Sequence, residues 1–100
     1  MIVAEIAVIP VGTGSTSMSD YVAKSERVLC KHPNLSYKLT AMSTEIEGKD
    51  INEIFEVLRE MHLAQIDNGA ARVNTTIRID DRRDKDNTLS EKVTSVKTKI

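Results

Sequence analysis

The stretch Arg72-Val-Asn-Thr-Thr-Ile-Arg-Ile-Asp80 decides the fold, because apolar and polar residues alternate along it with a period of two. One face carries Val73, Thr75, Ile77 and Ile79, and the other carries Arg72, Asn74, Thr76, Arg78 and Asp80. This pattern predicts a strand that packs on a core with one face and leaves the other face open.

A helix is predicted immediately before this strand. Asp50 followed by Glu53 resembles a capping box, and Asn68-Gly69 supplies a C-terminal stop. The predicted apolar stripe consists of Ile51, Ile54, Phe55, Leu58 and Met61.

The first half of the chain predicts a strand, a helix and then a hairpin. Ile2 to Ile9 is rich in Val and Ile and is closed by Pro10, which is typical of a strand. Ser17 or Ser19 is expected to cap a helix that carries Asp20 in its first turn and ends near Lys31, before Pro33. Two further strands are predicted over Leu35–Met42 and Ser43–Glu47, with a turn near Ala41 to Ser43.

The end of the chain predicts one more helix, which begins with a second capping box of Thr88 and Glu91. Its apolar face is expected to contain Leu89, Val93, Val96 and Ile100. The order of elements predicts an α+β, ferredoxin-like βαββαβ sandwich over residues 1–100 as one domain. Right-handed crossovers place two helices on one face of a four-stranded antiparallel sheet, with the C-terminal helix as an addition.

Composition excludes several classes of protein. The net charge of −1 and the three aromatic residues argue against a nucleic-acid partner, because such surfaces need clustered Lys and Arg or stacking platforms. The apolar run at the N-terminus is shorter than the roughly 18 residues of a membrane span. One cysteine, Cys30, fits a reducing interior. We therefore expect a cytoplasmic protein with no membrane partner.

The open face of the predicted sheet is polar, provided that Ala4, Ile6 and Val8 meet the helices. It is then expected to carry Glu5, Lys38, Thr40, Met42, Glu45, Asn74, Thr76 and Arg78. Such a group could hydrogen-bond a heteroaromatic amine, with a carboxylate balancing a cationic ring. The alternative is a solvated face with cross-strand ion pairs.

Two loops are further candidates for binding. Gly12 to Ser17 lies at a strand-to-helix junction, where backbone N–H groups could hold an anion, although a flexible connector is the alternative. Asp80 to Asp86 balances its charges and could bridge subunits, contact a ligand through Arg82 and Arg83, or simply be solvated.

The sequence contains few residues that could act in catalysis. Cys30 is predicted to be a packed small residue, and neither His32 nor His62 has a partner at metal-ligand spacing. We therefore expect no enzymatic activity, no catalytic residues, no metal site and no cofactor.

Three blocks of sequence carry a resemblance to a known family. They are Ile9-Pro-Val-Gly-Thr-Gly-Ser-Thr-Ser17, Met42-Ser-Thr-Glu-Ile-Glu-Gly48 and Thr75-Thr-Ile-Arg-Ile-Asp-Asp-Arg-Arg-Asp-Lys85. Together they resemble the small single-domain members of the thiamine-binding protein family, which are YkoF-like. Ala41 departs from the family, which often has proline before the hairpin methionine.

The resemblance implies non-catalytic binding of thiamine or its hydroxymethylpyrimidine moiety, in carriage, sequestration or sensing, by a homodimer or homotetramer that packs through its sheets. The ligand-binding residues that it implies are Thr13, Gly14, Ser15, Thr16, Ser17, Thr40, Met42, Thr44, Glu45, Asn74 and Thr76. Glu5 and Arg78 are secondary candidates, and Arg82 and Arg83 are expected at the pocket rim or in assembly. The alternatives are an interaction module whose sheet face is only an oligomer interface, and an enzyme that uses His62 or a carboxylate pair.

Overall fold

The computed structural model describes residues 1–16 and 18–100, and these residues form four strands and three helices. The elements are β1 (Ile2–Val11), α1 (Ser19–Leu29), β2 (Ser36–Leu39), β3 (Thr44–Gly48), α2 (Ile51–Asp67), β4 (Arg72–Asp81) and α3 (Leu89–Lys97). The strands form an antiparallel sheet in the order β2-β3-β1-β4. This arrangement confirms the predicted ferredoxin-like fold.

The core lies between one face of the sheet and the helices α1 and α2. Ile2, Ala4 and Ile6 of β1 alternate with residues of the open face and are buried against the helices. Ile46 of β3 is fully buried on the same side, next to Ala4 in the register. The even positions of β1 therefore mark the helix-facing side, as the alternation predicts.

Helix α2 covers the middle of this core, but its buried stripe differs from the predicted one. Ile54, Leu58 and Met61 are buried as expected, together with Val57. Phe55 is 56% exposed, so its assignment to the core is wrong. Successive residues of a helix are rotated by about 100°, so when Ile54 faces the sheet, Phe55 lies on the side of the helix and not on the sheet-facing side.

The ends of α2 follow local capping rules, whereas the start of α1 and the exposure of Cys30 differ from the predictions. The Asp50 carboxylate accepts from the Asn52 N–H at 2.8 Å, and Gly69 ends α2 with φ +100°. The N-cap of α1 is Met18, with no side-chain cap, so the prediction for Ser19 is wrong; the alternative cap Ser17 lies outside the described residues. Cys30 is exposed rather than packed, because it follows the buried Leu29 on the next side of the helix.

Strand β1 continues through Pro10 to Val11, beyond the predicted end. Its pairing with β3 stops at Ile6, whereas its pairing with β4 extends to Val11. Pro10 therefore lies where β1 has a neighbouring strand on one side only, the kind of position at which a strand tolerates proline. The overhang leaves a stretch of β1 without β3 beside it.

Helix α3 lies over the other side of the sheet. Its capping box of Thr88 and Glu91 is present, and the Leu89 N–H donates to Glu47 Oε2 at 2.6 Å. Leu89 is half-buried, whereas the other predicted members of its apolar face, Val93, Val96 and Ile100, are exposed. Among the described helices, none is long and apolar enough to cross a membrane.

Candidate functional site

A cavity of about 220 Å³ lies beside the overhang of β1, between the sheet and α1. The turn between β2 and β3 closes one side of it, and α1 closes the side opposite the sheet. Its apolar lining includes Ile6, Val8, Met18, Val22, Leu39 and Met61. The cavity exists because β3 begins only at Thr44, which leaves β1 beyond Ile6 without β3 next to it.

The polar centre of this cavity is Glu26, on α1. Its Oε1 accepts a hydrogen bond from the hydroxyl of Thr44, which is 4% exposed on the helix-facing side of β3. Its Oε2 is buried and has no hydrogen-bond partner among the described residues. A buried acceptor without a partner costs about 1–3 kcal/mol, so a donor on a bound molecule is favoured here.

Glu26 is absent from the sequence prediction. It lies four residues after Val22, which shares the cavity wall, and next to the buried Ser25. The i, i+4 spacing from Val22 is the signal that could have placed it on the inward side of α1.

A second set of hydrogen bonds fixes α1 against α2 behind the cavity. Gln65 of α2 is completely buried, and its amide donates to the Tyr21 carbonyl at 2.7 Å and to the Ser25 hydroxyl. The Ser25 hydroxyl in turn donates to the Met61 carbonyl at 2.9 Å. These bonds join α1 to α2 next to the cavity, and they therefore fix the position of the helix that carries Glu26.

The turn between β2 and β3 is built around Thr40. Its backbone N–H donates to the Ser43 carbonyl at 2.8 Å, and its hydroxyl donates to the same oxygen at 2.7 Å. Thr40 and Met42 line the cavity instead of the predicted open face. The reason is that β2 ends at Leu39, so the alternation of sides stops before these residues. Met42 is 87% exposed at the mouth.

The predicted binding residues Glu45 of β3 and Asn74 and Thr76 of β4 lie on the other face of the sheet. Register places Glu45 and Arg78 on either side of Glu5, and Glu5 Oε1 lies 3.2 Å from Arg78 Nε. Asn74 and Thr76 share this open face with them. The sheet therefore separates these residues from Thr40, Met42 and Thr44, and the structure does not bring the predicted group together in one pocket.

The loop after β1 leads to Met18 at the cavity. Thr13 and Ser15 hydrogen-bond each other within this loop, where the Thr13 hydroxyl accepts from the Ser15 N–H at 3.3 Å. The described loop residues Thr13, Gly14, Ser15 and Thr16 are not part of the cavity wall, and Ser17 lies outside the described residues. Among the described residues between β1 and α1, Met18 alone lines the cavity.

The charged loop after β4 lies at the opposite end of the sheet from the cavity, beside Ile2. Arg82 pairs with Asp84 at 2.7 Å, and Arg83 pairs with Asp81 at 2.7 Å. The hydrogen bond from Arg82 lowers the pKa of Asp84 to about 2. Both arginines therefore form ion pairs within their own loop.

The two histidines have structural partners. His32 is largely buried, with Nε2 3.0 Å from Glu60 Oε2 and Nδ1 3.9 Å from Glu53 Oε1. His62 Nδ1 lies 2.7 Å from the Thr75 hydroxyl. Among residues 1–16 and 18–100, no group of three acidic, histidine or cysteine side chains could hold a metal ion.

Comparisons with known proteins find relatives that match almost the whole chain. The UPF0045 protein of Methanothermobacter thermautotrophicus is 48% identical over 100 residues and covers all of both chains. The UPF0045 protein YqgV of Bacillus subtilis is 42% identical over 99 residues, which are 96% of this chain and 94% of YqgV.

Solved structures show the same architecture. The crystal structure of the hypothetical protein MJ1052 from Methanocaldococcus jannaschii matches with a TM-score of 0.86 at 38% identity, over 96% of this chain and 95% of that one. Protein TM0486 of Thermotoga maritima matches with a TM-score of 0.77 at 19% identity, over 95% of this chain and 97% of that one. The sequence model of the family described as thiamine-binding protein matches residues 4–97. The chain belongs to the thiamine-binding protein family.

Proposed function

We propose that this protein binds thiamine, or its hydroxymethylpyrimidine moiety, in the cavity between α1 and the sheet, without catalysing a reaction. Membership of the thiamine-binding protein family supports this, as does the structural neighbour from Thermotoga maritima, whose name refers to thiamine biosynthesis and salvage. The observation that carries the proposal is the buried Glu26 Oε2 on the cavity wall, an acceptor with no partner among the described residues.

The size of the cavity favours one ring over two. Pockets for drug-sized ligands occupy roughly 300–1,000 Å³, and this cavity holds about 220 Å³. The pyrimidine ring of thiamine therefore enters, and the thiazolium ring remains at the mouth beside the exposed Met42. A flexible thioether is well suited to contact such a ring.

The chemistry of the cavity matches an aminopyrimidine. Its apolar walls, among them Ile6, Val8 and Val22, suit the faces of a flat ring. The amino group of the pyrimidine donates to Glu26 Oε2, while Thr44 keeps the other carboxyl oxygen occupied. A hydrogen bond to a charged group contributes about 1.5–3 kcal/mol, which is enough to select an amine over a carbonyl at this position.

Isothermal titration calorimetry with three ligands tests this proposal. Thiamine and free hydroxymethylpyrimidine should both bind, because both carry the amino group that Glu26 accepts. Oxythiamine, in which a carbonyl oxygen replaces this amino group, should bind at least about tenfold more weakly. Equal affinity for thiamine and oxythiamine, or no heat with thiamine at millimolar concentration, would contradict the proposal.

We further propose that the protein is a cytoplasmic homodimer or homotetramer and that its open sheet face serves assembly. Two observations support self-association. Strand β4 is ten residues long and lies at the edge of the sheet, where its outer backbone groups can pair with another strand. The exposed Val93 and Val96 of α3 also offer apolar surface on the open side. Sedimentation equilibrium tests this, and a monomer at all concentrations would contradict it.

A further inference from the structure

Ser43 makes contacts on both sides of the sheet. Its backbone is part of the turn that lines the cavity, where its carbonyl accepts from Thr40 and its N–H donates to the Thr40 hydroxyl at 3.2 Å. Its own hydroxyl donates in the other direction, to Glu5 Oε2 on the open face at 3.3 Å. Ser43 therefore connects the cavity wall to a carboxylate on the opposite side of the sheet.

The carboxylate that accepts from Ser43 is also part of an ion pair. Glu5 uses Oε1 for Arg78 and Oε2 for Ser43, so each oxygen has a different partner. Glu5 also lies directly opposite Glu45 in the register of β1 and β3. Like charges at opposite positions repel each other, and Arg78 on the far side of Glu5 offsets this repulsion. Without Arg78, Glu5 would be expected to turn away from Glu45 and to lose its geometry toward Ser43.

We propose that Ser43 is a positioning residue of the cavity, and that ligand affinity therefore depends on the Glu5–Arg78 ion pair on the opposite face. This inference rests on the proposed function. The hydroxyl of Ser43 holds the turn in the conformation that closes the cavity wall. The pair contributes to binding although Arg78 has no contact with the cavity among the described residues.

The expected size of the effect follows from the single hydrogen bond that is lost. The turn contains the exposed residues Ala41 and Met42. The bond from Ser43 to Glu5 attaches this turn to the open face of the sheet. If the turn is closed for only a fraction of the time, the apparent Kd rises by the inverse of that fraction. The bond from Ser43 to Glu5 is part-buried and, at 3.3 Å, long for a hydroxyl donor, so its loss corresponds to about a 3- to 10-fold change in Kd.

The experiment measures thiamine affinity by calorimetry for Ser43→Ala, Glu5→Gln and the double variant. Each single change should weaken binding about 3- to 10-fold, and the double variant should be no weaker than the worse single variant. Arg78→Gln should weaken binding as well, whereas Arg78→Lys, which keeps the charge, should bind more nearly like the wild type. The matched controls are Ser36→Ala and Glu56→Gln, both exposed and outside the cavity, and they should leave Kd unchanged.

Hydrogen exchange of the Thr40 and Ser43 amides gives a second readout that needs no ligand. Both N–H groups are bonded within the turn, so they should exchange faster in Ser43→Ala and Glu5→Gln than in the controls. Faster exchange together with weaker binding supports the proposal. Unchanged exchange, or additive losses of affinity in the double variant, overturns it. If the wild type binds no thiamine, the proposed function fails, and unchanged exchange would then refute the positioning role separately.

Discussion

Replacing Glu26 by Gln should weaken thiamine binding without destabilising the fold. The carboxylate offers Oε2 to the ligand and Oε1 to Thr44, whereas an amide has a single oxygen for both. At best, Thr44 reverses its hydroxyl to accept from the amide, and the ligand then meets a neutral acceptor. A hydrogen bond to a charged group contributes about 1.5–3 kcal/mol and a neutral one about 0.5–1.5 kcal/mol. The difference of about 1–1.5 kcal/mol corresponds to roughly a tenfold higher Kd.

Calorimetry and thermal unfolding of the same variant separate a binding role from a structural one. The melting temperature of Glu26→Gln should stay near that of the wild type or rise, because a neutral amide is easier to bury than a carboxylate whose second oxygen has no partner among the described residues. Glu56→Gln, on the exposed side of α2, is the matched control and should change neither quantity. A lower melting temperature with unchanged affinity would refute this reasoning, since it would make Glu26 a structural residue only.

Three further predictions concern the framework. Gly48→Ala should lower the free energy of unfolding by about 1–3 kcal/mol in a denaturant titration, because a Cβ there would overlap the buried Leu35 side chain; an unchanged midpoint would contradict this packing. Thr88→Ala should cost about 1 kcal/mol of local stability, seen as faster amide exchange at the start of α3, because the capping box is lost. The Asp84 carboxyl should titrate by NMR with a pKa of about 2, and Arg82→Ala should raise this pKa toward the ordinary range, since Arg82 supplies the hydrogen bond. The Arg82–Asp84 pair favours the folded loop at neutral pH and is lost as the pH falls through the pKa of about 2.

Local patterns predict most of the fold because each element has its own signal. The alternation from Arg72 to Asp80 fixes both faces of β4, and the caps at Asp50 and Thr88 fix the starts of α2 and α3. Each of these signals depends only on residues a few positions apart, and each is present in the folded chain. The errors at Phe55 and Cys30 are of another kind, because the rotation of a helix about its axis is set by what it packs against.

The candidate site is less predictable, because it arises from a mismatch between elements. The cavity exists only because β1 extends beyond its pairing with β3. No local sequence pattern indicates where the pairing of two strands ends. The prediction that Thr40 and Met42 lie on the open face fails for a similar reason, because the alternation of sides in a strand does not continue through a turn. Glu26 is hard to predict for a further reason, because a charged residue on a helix is usually solvated.

A crystal structure of the protein with thiamine would show directly whether the ligand binds in the cavity beside Glu26. We expect the pyrimidine ring inside the cavity between α1 and the sheet, with its amino nitrogen at about 2.7–3.2 Å from Glu26 Oε2 and the thiazolium ring beside Met42. Thiamine ordered on the open face beside Glu5 and Arg78, with the cavity empty at saturating ligand, would contradict it.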